Sequence, residues 1–251
     1  MSLWRLERLR LLRTRRWIAL AAVFLVLGFG NPLATHYLGQ LLSGRTGGGY
    51  IQITVGQPQP SDGMASYFGN ITSVGTLVTV VVAGLAFAVR ANPPLAALYL
   101  THVRSRAALL VPRLVTVAVA TVVASVLGGL AAAYATTVLF GAPKAGATIA
   151  GIAVSCLAQL FAVVITFLCA TLLRGQVAAI AVALGVVFVA VPFADLIPGV
   201  RPVGPNALTN LPTTLQTGAW TTNATWATVV TFGLCVAAVA GGLAQSRRWQ
   251  L

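Results

Sequence analysis

Six apolar runs, each long enough to cross a bilayer, recur along this chain, and the short segments between them hold most of its arginines. They lie at about residues 17–37, 67–89, 107–140, 148–173, 177–197 and 225–244. A spanning helix needs about 20 mainly apolar residues. In hydrocarbon no water satisfies a bare N–H or C=O, so such runs fold as helices whose backbone bonds are internal. The third run exceeds one crossing, an excess that tilt or an extension beyond the bilayer accommodates. A soluble fold has no means of hiding this much apolar surface: 58% of the 251 residues are hydrophobic and 8% are charged, where soluble domains carry about 25% charged residues. The expected fold is an all-α integral membrane protein, a single transmembrane domain over residues 1–251 with six spans.

Basic residues orient those spans. With the N-terminus inside, thirteen of the sixteen fall in inside segments, and only Arg45, Lys144 and Arg201 fall outside. Short basic loops stay on the cytoplasmic side. Both termini are therefore expected in the cytoplasm, and the chain in the cell (inner or plasma) membrane as a multi-pass protein. Adding or dropping a span would scramble the bias. The formal net charge of +13 reflects a scarcity of acids (Glu7, Asp62 and Asp195) rather than a nucleic-acid face. The lipid bilayer is the expected surrounding, and no nucleic-acid partner is expected.

The arginine-rich start and the apolar run after it have the outline of a secretory signal. The run is too long for a signal core, however, and Asn31-Pro32 interrupts where a small-residue cleavage site would stand. It is read as a retained first span, kinked by Pro32 near its outer end. The apolar residues of 1–16 spread around most of a helical wheel, which makes that segment a poor amphipathic helix. Its six arginines favour an anionic inner leaflet. It serves either as a topology anchor alone or as a helix that also contacts a cytoplasmic partner.

Of three longer connecting segments, two, residues 90–113 and 198–222, carry more information than the spans. Residues 38–66 are rich in Gly, Gln, Pro and Ser and read as a flexible, solvated outer loop, with a short strand possible over 50–55. Residues 90–113 read RANPPLAALYLTHVRSRAALLVPR. Asn92-Pro93-Pro94 ends the incoming span and opens a new helix, because proline suits a first turn. Leu95, Leu98, Tyr99 and Val103 recur at helical spacing, and His102, Arg104 and Arg106 gather where cations suit the helix dipole. A short cytoplasmic helix along the inner face fits this pattern, as does an ordinary loop with topogenic arginines. Residues 198–222 are moderately apolar, broken by four prolines, and carry one charge, Arg201. A solvated loop would carry more. Irregular backbone at membrane depth survives only against protein or a cavity, so a short broken helix re-entering the outer leaflet is expected before the sixth span.

Enzyme chemistry lacks residues. His36 and His102 fall on opposite sides of the bilayer, and Cys156, Cys169 and Cys235 lie in apolar runs with no metal-ligand spacing. The three acids fall at span edges or in loops, so no carboxylate pair is available for a proton relay or an ion-coupled carrier. No GxxxxGK[ST] phosphate loop occurs. No catalytic residue, metal or cofactor is expected. Ala124 with Gly128 and Ala181 with Gly185 sit four apart and permit close helix approach, a spacing that alanine-rich chains also produce by chance.

Gly75-Thr76-Leu77 on the second span, the run from His102 to Arg113 and the proline-broken stretch from Pro205 to Pro212 carry a resemblance. With six spans, both ends inside and no ATPase motif, the chain resembles the membrane permease subunit of type-two ABC exporters. It departs from that family in having Arg90 near the inner end of the second span, where many members carry an acidic residue. The resemblance implies a non-catalytic subunit that pairs with a second copy or a homologous permease. Cytoplasmic ABC ATPase subunits would bind beneath and would hold the ATP. It implies ATPase contacts through a coupling segment containing Pro94, Tyr99, His102, Arg104 and Arg106. The pathway would be lined by the first, second and fifth spans, and nearly uncharged faces there suit a hydrophobic or amphipathic substrate (drug, lipid or glycolipid-like). The competing readings are a six-span assembly or sensor protein without transport, and a secondary carrier.

Overall fold

Apolar runs of this length have one low-cost conformation in lipid, and the structure, a computed structural model, adopts it throughout. It describes Trp4, Glu7, Leu9, Arg10 and residues 13–43, 59–87, 106–218 and 220–247. The described residues form helices and connecting turns, with no strand. Six helices are long and apolar enough to span a membrane. We number them α1 (Arg16–Ser43), α2 (Pro60–Phe87), α3 (Arg106–Phe140), α4 (Ala145–Leu172), α5 (Gln176–Ala194) and α7 (Thr222–Arg247), with the short helix α6 (Pro205–Thr217) between the last two. The expected strand over 50–55 and the coupling helix with Pro94, Tyr99, His102 and Arg104 lie outside the described residues.

Spans consecutive in the chain run in alternating directions, which defines two ends. At one end the Arg16 guanidinium donates to the Leu85 carbonyl (2.8 Å), joining the start of α1 to the close of α2. Phe87 meets Phe167 of α4 edge to face at 5.4 Å. The start of α3 packs there too, through Leu109, Leu110 and Leu114. This is the basic end. At the far end Thr35 of α1 donates to Ser66 of α2 (3.0 Å), and Asn70 of α2 donates to Asn31 of α1 (2.5 Å). The central helix is α4, which packs on α2, α3, α5, α6 and α7. Burial follows: in the 18-residue apolar stretch of each span, 56% of α4 is buried, against 11% of α5.

Several boundaries differ from expectation for identifiable reasons. The second span starts at Pro60, not near Tyr67. Pro60 occupies the first turn, and the Asp62 carboxylate accepts the Gln59 N–H (2.8 Å), so a stretch that reads as loop is a capped helix start. The first span covers Arg16–Tyr37, as expected, with Pro32 inside the helix. The helix continues to Ser43, and the Asn31 amide donates to the Leu27 carbonyl (2.8 Å) beside the proline. The outer segment 38–66 is thus helical at both of its described edges. In α3, Pro112 lies within the first two turns, and Thr116 donates its hydroxyl back to the Pro112 carbonyl. The thirty-five residues of α3 span about 52 Å, well beyond the ~30 Å hydrocarbon core.

Glycines on both helices set the close crossing of α1 and α3. A Cβ on Gly28 of α1 would lie 2.4 Å from the Gly128 carbonyl oxygen of α3. One on Gly128 would lie 2.8 Å from the Phe24 carbonyl oxygen. Of the two small-residue pairs legible in the sequence, Ala124 with Gly128 therefore marks a real contact. Gly185 faces open space.

Candidate functional site

Two regions of the bundle gather polar groups against apolar walls. The larger is a cleft of about 130 Å³ near the far end, bounded by α2, α4, α5, α6 and α7. Dry apolar cavities of roughly 150 Å³ accept benzene, so this space is on the scale of one six-membered ring. Its walls carry the hydroxyls of Thr72, Ser73, Thr76, Thr209 and Thr231, the Asn206 amide, and the rings of Phe161 and Phe188. No ionisable side chain among the described residues lines it.

The backbone is irregular on two opposite walls. α2 widens into a π turn at Ile71–Gly75, and α5 does so at Val186–Ala190. A π turn inserts one residue into an α-helix, shifts the register of the side chains beyond it and frequently marks a functional position. In α2 it coincides with Thr72 and Ser73, both in the cleft wall. The turn is held from across the bundle by Gln159, the one amide in α4, which is fully buried. Its Nε2 donates to the Ile71 carbonyl (3.0 Å) and to the Thr76 hydroxyl (3.0 Å). Glutamine here serves a carbonyl that the widened turn pulls out of the regular ladder. Gln159→Leu should cost about 1–2 kcal/mol by removing two hydrogen bonds from an apolar interior, because the Ile71 carbonyl keeps the N–H and hydroxyl of Thr76 as partners. Equilibrium unfolding in mixed micelles measures it, and an unchanged midpoint would remove Gln159 from any role in shaping the turn.

Asn206 is positioned with similar care. Pro205 opens α6, and the Asn206 amide donates to Asp195 in the turn after α5 (2.5 Å). The Thr209 hydroxyl donates to the Asn206 backbone carbonyl (2.7 Å). Asp195, read from the sequence as a span-edge acid, thus orients an amide of the cleft. The Thr231 hydroxyl is buried without a partner among the described residues and lines the same space. These groups offer donors and acceptors without net charge, on a floor of aromatic and aliphatic carbon.

The second region is at the basic end. The carboxylate of Glu7 meets the guanidinium of Arg113 at 2.7 Å through Nη2 and at 3.2 Å through Nε. Both residues are buried, Glu7 6% and Arg113 2% exposed. Arg10 stands 3.8 Å from the same carboxylate oxygen. The chain reaches this position through an elbow. Thr14 closes a turn on the Arg10 carbonyl, Arg15 adopts a left-handed backbone (φ 52°), and α1 begins at Arg16. The N-terminal segment therefore folds back on α3.

Of the residues expected to form a coupling segment, Pro94, Tyr99, His102 and Arg104 lie outside the described residues, and Arg106 is described only as the first residue of α3. The residues that do converge were mostly not legible as a group. Gln159 offered one signal, a lone amide inside a long apolar run. Glu7 and Arg113 are 106 positions apart and offered none. No family model matches the chain, and no curated protein matches its sequence.

Proposed function

We propose that this chain is the membrane-embedded permease subunit of an ATP-driven exporter and that the cleft beside Gln159 takes part in passing a hydrophobic or amphipathic substrate. The observation that carries the reading is the character of that cleft: ring-sized, lined by neutral hydroxyl and amide groups over aromatic carbon, and walled by two π turns. Such a surface binds an uncharged amphipath by short-range contacts. It offers no carboxylate for coupling to protons or cations, the usual equipment of a secondary carrier. Energy must then come from elsewhere, and cytoplasmic ATPase subunits supply it.

In this reading both termini are cytoplasmic, the basic end faces the cytoplasm, and α6 is a re-entrant helix in the outer leaflet. The sparsely covered faces of α5 and α1 receive a second copy or a related permease. Residues 94–106 and the folded-back N-terminal segment carry ATPase closure into the spans. The chain has no catalytic step of its own. The test is affinity isolation of the tagged chain in mild detergent. An ATP-hydrolysing subunit should co-purify, and amphipathic compounds should stimulate its activity. Asn206→Leu should reduce that stimulation about fivefold, the weight of one neutral hydrogen bond. If no ATPase is recovered under several mild conditions, the proposal fails in favour of an assembly or sensor role.

A further inference from the structure

The basic end carries an electrostatic imbalance that the acidic side chains of the chain do not correct. A cleft opens there between the N-terminal segment, α1, α2 and α3, and four charged residues line it: Glu7, Arg10, Arg16 and Arg113. The Glu7 carboxylate is engaged by Arg113 at 2.7 Å, and only at 3.8 Å by Arg10. That leaves a local excess of two positive charges. The sequence holds just two other acidic side chains, Asp62 and Asp195. Both sit at the far end, one capping the start of α2 and the other in the turn after α5. None of the three acidic side chains is therefore free to neutralise Arg10 and Arg16, and an anion from outside would match them.

The cleft's other walls specify what kind of anion. Below the arginines lie the side chains of Leu20, Val82 and Val117, and Trp17 stands at the rim, 38% exposed. A tryptophan beside arginines at the end of a spanning helix is an interfacial arrangement, with the ring at headgroup depth. The interior room is about 30 Å³, enough for one or two water molecules. A phosphate group is too large to enter and instead fits the mouth, against Arg10 and Arg16, with its hydrocarbon following the apolar wall. Basic pockets between spanning helices bind anionic lipid headgroups on this principle.

We infer that this cleft is a specific site for one anionic phospholipid, its phosphate held by Arg10 and Arg16 beside the Glu7–Arg113 pair. The site is independent of what the protein transports. Bulk attraction of a basic segment to an anionic surface predicts something different, because it counts every arginine alike. Arg13 and Arg15 belong to the same segment, are exposed and do not line the cleft. They are the internal control.

The experiment titrates the full-length chain, in phosphatidylcholine micelles, with phosphatidylglycerol and counts retained lipid by native mass spectrometry. One phosphatidylglycerol per chain should be retained in preference to phosphatidylcholine. Each arginine contact is worth roughly a fivefold change in affinity. Arg10→Gln should therefore weaken retention about fivefold, and Arg10→Gln with Arg16→Gln about 25-fold, while Arg13→Gln with Arg15→Gln should change it less than about twofold. Arg16 also holds the Leu85 carbonyl, so the Arg10→Gln variant alone decides the matter if the double variant does not fold. Equal losses in the two double variants would reduce the effect to bulk attraction and overturn the site. Equal retention of phosphatidylcholine would overturn it as well. Displacement of the lipid by millimolar inorganic phosphate would replace it with a simple anion site.

Discussion

Glu7→Gln should destabilise the bundle by about 3–5 kcal/mol, although it removes one formal charge from a residue that sequence alone places in an arginine-rich topology anchor. The reason is Arg113. Its guanidinium is 2% exposed and has Glu7 as its ion-pair partner, with two donors on one carboxylate oxygen. Taking the charge off Glu7 leaves a cation buried against Leu20, Val117 and neighbouring apolar groups. An uncompensated buried charge is among the largest single-residue penalties known. Arg113→Met should cost less, because Arg10 stands 3.8 Å from the Glu7 carboxylate and still pairs with it. The double variant Glu7→Met with Arg113→Met should recover most of the loss, because a buried ion pair replaced by packed apolar groups is often neutral in stability.

The protein has one escape. The N-terminal segment can peel away from α3 and let water reach Arg113. The measured cost is then capped at the free energy of detaching that segment. The escape leaves its own mark: tryptic cleavage after Arg10 and Arg13 should speed up in the single variants and return to normal in the double variant. Unfolding in mixed micelles gives the energy, and limited proteolysis shows which route is taken. If Glu7→Gln unfolds with wild-type energetics and is cut no faster, the pair does not hold the N-terminal segment in place.

This pair also shows where reading the sequence succeeds and where it stops. The six spans were legible because hydropathy is a property of each residue, summed over about twenty of them, and no partner is needed to evaluate it. Arginine placement was legible for the same reason. Arg113 was read as one more topogenic charge, and only the fold, which returns Glu7 to α3 after an elbow at Arg15, makes it a buried partner. The start of α2 failed differently. Pro60-Ser61-Asp62 is a sound helix-start signal, hidden because hydrophilic residues beside a glycine-rich loop resemble more loop. The π turns left no signature at all. Ile71–Gly75 is ITSVG, ordinary in composition, and the amide that meets its Ile71 carbonyl lies on another helix.

Gly128→Leu should be the second large effect, and it tests a contact the sequence marked only ambiguously. Gly128 and Gly185 carry the same small-residue spacing, four positions after an alanine. A Cβ at Gly185 meets nothing within 4 Å. At Gly128 it meets the Phe24 carbonyl oxygen and the Tyr67 hydroxyl, each at 2.8 Å. On the facing helix, Gly28 is closer still, with the Gly128 carbonyl 2.4 Å from its would-be Cβ. A flexible side-chain tip can swing aside, whereas a helix carbonyl moves only with its helix. A side chain at either glycine must therefore push α1 off α3, opening the packed cluster of Leu20, Phe24, Met64, Tyr67 and Phe68 beneath the crossing. Between helices in lipid no hydrophobic force pulls the pair back together, and close van der Waals contact is most of what holds them. Overpacking costs about 1–3 kcal/mol in adaptable cores. With backbone on both sides, Gly128→Leu belongs at the upper end, a fall in melting temperature of about 6–12 °C for a chain of this size. Gly28→Ala should also destabilise, despite the usual gain of about 1 kcal/mol when alanine replaces glycine in a helix. Gly30→Ala and Gly185→Ala, with open space around both, should show that gain or no change. Thermal unfolding of the four variants in one detergent separates propensity from packing. A Gly128→Leu protein that melts with the Gly185 and Gly30 variants would mean that α1 and α3 do not cross at these glycines.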